Sequence, residues 1–428
     1  MSKKRLIGWL QNLLLILLTA SALYLLTMIP GSNWRSHFQT LLTSHPQEVA
    51  SDNSSGFISA IPAFHLMATA DMEYGRYGLL SVSPQDQQIL QLMPLLQDSL
   101  GSAAESGQAD DAQLKKALES PGFLLDLMTE IPLSVIADWL DADITFDRPV
   151  RRIALIAEGS DNAVLYLQDA DGSITRYHTA LSVSAVQEQA AAFSPNGSRF
   201  GYESTYSTLS PYAFLINQTP ELSQVNTAVP AGFTEDSLLA ALGFNIHNRY
   251  RYQESSGTKV IIESPRELRI SPNASVSYTG DSTAASPLYH IVSAGDAPTA
   301  AEAVQAAAQL SATLSEATGA SPMVLHSIEA TETGFDIFFR YQHNSYPVYC
   351  TTSDSAMKDG SVLRVTITDT AITAFTFHCR SYTDTDQFSL LLPSTQAVAV
   401  ASIYPGSELF IGYTDQGQNP LSPAWRTK

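Results

Sequence analysis

Three small groupings in this chain of 428 residues carry residue types that chemistry uses. Ser355-Ala356-Met357-Lys358 has the S-x-x-K spacing that sets a nucleophilic serine beside a lysine on one helical turn in penicillin-recognising enzymes. Here it falls in a loop containing Gly and Asp, with no S-D-N or K-T-G downstream, so it reads as a chance match. Asp169-Ala170-Asp171-Gly172 resembles the opening of a calcium loop, but the twelfth position carries no glutamate, and a hairpin turn accounts for it. His65, His178 and Asp169 supply the types of a triad without any spacing that joins them. The nine histidines are dispersed, with no H-x-x-x-H or H-E-x-x-H pair for zinc, and His378 reads as a sheet-face residue. Neither G-x-S-x-G nor a glycine loop for phosphate is present. We therefore expect no catalytic, metal-binding or cofactor-binding residues.

Cys350 and Cys379 are the two cysteines. Strand alternation puts Cys379 on the side of Phe375 and Phe377, and Cys350 on the side of Val348, so both are expected to face a core. Free cysteine is among the most buried residue types, which favours two buried thiols. A disulfide between them is the alternative, and it needs Cα atoms within about 7 Å.

The elements that hold these residues follow from periodicity and punctuation. Residues 63–68 and 77–82 read as strands. Ser83-Pro84 and Ser120-Pro121 each place a cap before a proline at a first helical position, the second opening a helix interrupted at Pro132 and continuing to Leu140. Residues 101–111 read as a polar loop, 151–156, 163–169 and 173–178 as a β-meander, and 182–193 as a short helix. These make an N-terminal α+β domain over 58–230. A small helix at 235–242 then leads into short strands at 250–254, 259–263, 268–271, 275–279 and 288–292, a β-rich middle module over 233–293. The best-defined helix starts at Thr299 with a Thr299/Glu302 capping box and stops at Gly319. Its stripe of Ala303, Ala307, Leu310, Leu314 and Ala317 is made for lying on a sheet. Strands at 323–331, 335–342, 346–351, 362–368 and 371–382, a helix at 394–404 and a strand at 409–413 complete a C-terminal α+β module over 298–428. Residues 233–428 thus read as two tandem α+β modules.

Ahead of all this lies an uncharged apolar run, residues 6–29, directly after Lys3, Lys4 and Arg5. As a helix of 24 residues it would be about 36 Å long, enough to cross a hydrocarbon core of about 30 Å. The basic residues predict a cytoplasmic tail at 1–5, a single transmembrane helix, a polar stalk at 30–57 and an extracytoplasmic body. Ala20-Ser21-Ala22 offers a signal-peptidase pattern, but the apolar run continues beyond it, which favours a retained anchor. No cysteine follows for lipidation. Past residue 29 the chain holds 20 basic and 42 acidic residues, a net charge of −22, which excludes nucleic acid as a partner. With 15% charged and 44% hydrophobic residues the chain buries real cores. Four N-x-S/T sequons (Asn53, Asn196, Asn217, Asn273) bear on function only in a eukaryotic secretory cell.

The C-terminal module carries a resemblance. A capped helix leads to Gly334-Phe335-Asp336-Ile337-Phe338-Phe339-Arg340-Tyr341, and Asn344-Ser345-Tyr346-Pro347-Val348 turns the chain back. A hairpin around Asp369-Thr370 is followed by Arg380-Ser381-Tyr382, and Leu421-Ser422-Pro423-Ala424-Trp425-Arg426 closes the chain. With the anchor and the stretch from Leu242-Gly243-Phe244 to Tyr278, this resembles the YycH/YycI family of Gram-positive bacteria. The resemblance covers roughly the last 195 residues plus the anchor. It implies a non-enzymatic regulator of a two-component sensor histidine kinase of cell-wall homeostasis, with that kinase and a paralogous regulator as partners. PepSY-like domains share parts of the pattern, so an extracytoplasmic inhibitor or binding protein is the alternative, and a cell-envelope hydrolase a further one. Contact through the membrane would fall to the small residues Gly8, Ala20, Ser21 and Ala22.

Overall fold

The structure is a computed structural model that describes residues 60–427 except 206–207, 283–287, 292, 294, 296, 352–356 and 359. The expected anchor, the stalk, the contact candidates Gly8, Ala20, Ser21 and Ala22, and Ser355 all lie outside the described residues. Among the described residues no helix is long and apolar enough to cross a membrane.

The first half is built from β1 (Phe64–Asp71), β2 (Gly75–Val82), α1 (Gln87–Gly101), β3 (Ala104–Ala109), α2 (Asp111–Ala117), β4 (Gly122–Pro132), α3 (Leu133–Leu140), β5 (Pro149–Ile156), β6 (Asn162–Gln168), β7 (Ile174–Ser182) and α4 (Val183–Ala191). The strands make one antiparallel sheet in the order β2-β1-β4-β5-β6-β7-β3. Both faces are covered. Phe64, Leu66, Phe123, Leu125, Ile153, Leu155, Leu165 and Leu167 pack into one core with α1, α3 and α4. Met67, Leu124, Ala154, Ile156, Val164 and Tyr166 pack on the other side with α2 and with Phe200, Tyr212 and Phe214.

That double coverage corrects the reading of residues 120–132. They form the interior strand β4, whose first six residues are all buried, so that the apolar positions on both faces hide its period of two. Gly122 confirms the tight strand packing, since a Cβ there would sit 2.4 Å from the Leu155 carbonyl oxygen. Helical structure begins only after Pro132, at α3. Likewise Ser83-Pro84 belongs to a turn in which Ser83 N donates to Asp86 Oδ2, and α1 starts at Gln87. The expected polar loop 101–111 contains edge strand β3 and the Asp110/Gln113 capping box of α2. The meander is as read, with Gly172 at φ +93° in its turn, and Ser182 caps α4.

The two-residue strands β8 (Arg199–Phe200) and β9 (Phe214–Leu215) precede β10 (Leu222–Ala228), α5 (Glu235–Ala241), β11 (Arg251–Gln253), β12 (Lys259–Glu263), β13 (Arg266–Ile270) and β14 (Ser275–Thr279). Then come α6 (Ala300–Thr318), β15 (Met323–Ala330), β16 (Gly334–His343), β17 (Tyr346–Cys350), β18 (Leu363–Thr368), β19 (Ala371–His378), β20 (Ser381–Ser389), α7 (Ser394–Ala401), β21 (Leu409–Asp415) and β22 (Ala424–Thr427). Two runs of one helix followed by antiparallel strands are visible, α5 with β11–β14 and α6 with β15–β19. They share a single sheet, because β14 pairs with β19 through Val276 opposite Phe377 and Tyr278 opposite Phe375. Strand β16 carries β15 on one edge and divides its other edge between β18 and β17. The expected strand 288–292 is not seen over the described residues 288–291, where only His290 forms a β-bridge, to Ala371.

Helix α6 has its expected capping box and ends at Gly319 with φ +74°. Its buried face is wider than the sequence stripe, taking in Val304, Ala306 and Ala308. The cause is that α6 meets β15, β16 and β18 as well as α3 and α5, so it is covered on two sides. Residues 371–382 are not one strand: after β19 the chain turns, and β20 leaves the sheet to pair with β10, Tyr382 opposite Thr227. The end of the expected 58–230 domain therefore reaches into the C-terminal module through strand pairing.

Candidate functional site

The groupings singled out in the sequence are not assembled. His65 is buried in β1, His178 is exposed in β7, and Asp169, at the hairpin after β6, pairs with Arg148 at 3.1 Å. In the turn, Asp169 N donates to the Ser173 carbonyl at 3.2 Å, and Ser173 N donates to Asp171 Oδ1 at 2.9 Å. Lys358 is engaged with Glu329 at 2.7 Å and lies over the Phe338 ring. Among the described residues no three His, Cys, Asp or Glu side chains gather as a metal site.

Cys350 and Cys379 are both free thiols, so the candidate disulfide gives way to two separate buried environments. Cys350 Sγ lies 3.2 Å from the Tyr382 hydroxyl and 3.7 Å from Asp415 Oδ2. Burial pushes its thiol up to about 12, and burial raises the Cys379 thiol as well. Neither is a nucleophile near neutral pH. Asp415 is itself buried and is satisfied by neutral donors: Tyr382 Oη at 2.9 Å, Thr227 Oγ1 at 2.8 Å and Gly417 N at 2.9 Å. This one carboxylate ties β10, β17, β20 and β21 together.

The most concentrated charge in the interior sits between the first sheet and the C-terminal segment. Asp126 on β4 and Arg152 on β5 are directly opposite in register and pair at 2.7 Å. Arg152 also donates to Gln168 Oε1 at 3.0 Å and to Glu408, the residue before β21. The neighbouring Arg151 reaches the same two carboxylates, Asp126 at 3.4 Å and Glu408. Adjacent residues of a strand normally point to opposite faces. A bulge resolves this, because residues 127–130 of β4 stand opposite the single Arg151 and free it from regular pairing. Ser210 Oγ donates to Glu408 at 3.0 Å, and the Arg152 guanidinium lies 5.3 Å from the Tyr212 ring centre. Burial alone would raise the Asp126 carboxyl, but Arg152, Arg151, His65 and the Met128 N–H together hold it well below the usual carboxylate range. His65, opposite Asp126 in register, is lowered to about 4: burial outweighs the pull of Asp126, and Arg151 and Arg152 add to it. His65 is therefore a neutral imidazole at pH 7. Further bonds cross the same junction, from Thr129 Oγ1 in the bulge to the His326 carbonyl at 2.6 Å and from Ala63 N to Gln342 Oε1 at 3.0 Å.

Sequence reasoning missed this junction. An arginine pair in mid-strand and an aspartate inside an apolar run were its visible signals.

The outer surface offers a different feature. Phe388, Leu390, Leu392, Val400, Ile403 and Tyr404, from the end of β20 to just past α7, are all at least half exposed, Leu390 completely. The inner side of α7 is buried through Ala397, Val398 and Ala401. Six large apolar side chains within seventeen residues, with no lysine or arginine among them, make a surface suited to contact with another apolar surface.

Among solved structures the chain is similar to the crystal structure of YycH from Bacillus subtilis, with a TM-score of 0.50 and 13% sequence identity. The match covers 87% of this chain and 94% of that one. The chain thus has a YycH-like, mixed α+β fold rich in antiparallel sheet. No protein-family model matches the sequence, and no curated protein matches it.

Proposed function

We propose that this chain is a membrane-anchored, extracytoplasmic regulator of the YycH/YycI kind, acting by physical contact on a two-component sensor histidine kinase. The observation that carries the reading is the YycH-like fold, matched over nearly the full length of both chains. The apolar run 6–29 behind Lys3, Lys4 and Arg5 supports a single anchor with the body outside. Confinement to one bilayer raises the effective concentration of anchor and kinase helices, so weak packing suffices for association. Gly8, Ala20, Ser21 and Ala22 are the positions where a partner helix would approach. Outside the membrane, a body of net charge −22 is repelled by anionic surfaces, so its contacts with a kinase or a paralogous regulator fall to uncharged surface such as 388–404.

Co-purification of the full chain with the kinase from detergent, together with kinase output in cells, tests the proposal. Replacing Ala20, Ser21 and Ala22 with Leu should weaken association while insertion persists. Kinase output that is unchanged both by exchange of the anchor for an unrelated membrane helix and by deletion of the body would refute it.

A further inference from the structure

At the junction between the two sheets lies a small, partly open cavity lined by His65, Ser81 and Met128 from the first half and by Arg340, Tyr349 and Phe410 from the second. Arg340 on β16 is 6% exposed. Its Nη1 donates to Tyr349 Oη at 3.3 Å, its guanidinium lies 5.8 Å from the Tyr349 ring centre, and its buried Nε has no hydrogen-bond partner. Among the described residues no carboxylate pairs with it. A buried guanidinium without an anion is costly, because desolvation is compensated only by an opposite charge at close range.

The described surroundings do not supply that charge. Met128, which lines the cavity, donates its N–H to Asp126 Oδ1 at 2.8 Å, and His65 stands opposite Asp126, so the cavity adjoins the ion cluster directly. Asp126 and Glu408 are already consumed by Arg151 and Arg152. Among the described residues three arginines face two carboxylates, which leaves the junction with one positive charge. The imidazole of His65 is neutral at pH 7 and adds none. The free volume of about 20 Å³ admits roughly one water-sized group.

We propose that this cavity binds one halide-sized monovalent anion, chloride in ordinary media, held by Arg340 and closing the two halves of the molecule on each other. A water molecule could satisfy Nε but would leave the charge uncompensated. A carboxylate such as acetate, several heavy atoms across, fits a space of this size less well than a single-atom anion. Because the walls come from both sheets, occupancy couples the first half to the second. The inference does not depend on the regulator reading.

The test uses the full chain in detergent at pH 7 and constant ionic strength, comparing sodium chloride, bromide, acetate and gluconate. The thermal midpoint should be about 2–4 °C higher in chloride or bromide than in gluconate or acetate, and the gain should saturate with halide concentration. Chlorine-35 NMR should show excess line broadening that bromide displaces. Arg340→Gln should abolish both effects. Equal midpoints in all four salts, an effect that acetate reproduces, or a halide gain that survives Arg340→Gln would each overturn the proposal. Should Arg340→Gln fail to fold, the wild-type chlorine-35 signal decides: no broadening displaceable by bromide means no site.

Discussion

Arg152 and Glu408, 256 residues apart in the chain, form a buried ion pair that joins the central sheet of the first half to the segment leading into β21. Arg151 grips the second oxygen of the same carboxylate, and Asp126 balances the pair from β4. Removing one partner of such a group leaves a charge stranded in the interior. Glu408→Gln should therefore destabilise the protein by about 3–5 kcal/mol, measured by urea unfolding. Combined with Arg152→Met, the loss should be clearly less than the sum of the single losses, since the two changes remove one interaction. Additive losses would show that the pair is not coupled.

His65 should make stability depend on pH in a defined window. Its folded pKa of about 4 lies below the value of about 6.5 expected in the unfolded chain. The unfolded state thus binds more protons between those values, and stability falls as pH drops from about 6.5 to 4, by at most about 3 kcal/mol. The lowered carboxyl of Asp126 acts below that window, its contribution being lost as pH falls under about 4. Denaturant midpoints between pH 4.5 and 7 should flatten in His65→Gln. An unchanged slope in that variant would assign the pH dependence elsewhere.

Both cysteines should be inert in the folded protein. With Cys350 raised to about 12 and Cys379 also raised, alkylation at pH 7.5 should be slow and should track unfolding. Denatured, unreduced protein should titrate two thiols. A count of zero would restore the disulfide.

The apolar surface at 388–404 should separate folding from association. Leu390→Asp and Ile403→Asp alter exposed side chains and should change stability by no more than about 0.5 kcal/mol. Co-purification with a protein partner should drop at least tenfold, a change of about 1.4 kcal/mol in binding. Undiminished partner recovery would remove this surface from the contact.

Helix α6 was legible in the sequence because its capping box, terminal glycine and apolar stripe all lie within twenty-one residues. The meander β5–β7 was legible for the same reason, its turn residues sitting between alternating strands. Strand β4 was not, since burial on both faces removes the alternation that marks a strand. The ion cluster was hidden more thoroughly. Asp126, Arg151, Arg152 and Glu408 have no spacing to recognise, because the contacts that unite them are set by how β21 docks on the first half. The bulge at 127–130, which lets adjacent arginines reach the same two carboxylates, leaves no mark in composition.

The separation of Glu408 from the arginines it meets has a consequence for the order of folding. The contact joins residues 256 positions apart, and closing so long a loop carries an entropic cost that local hairpins such as β5–β7 avoid. Until the segment before β21 docks, the first sheet holds Arg151 and Arg152 against Asp126 alone. Docking of Glu408 therefore neutralises the first sheet and joins it to β21 in one step.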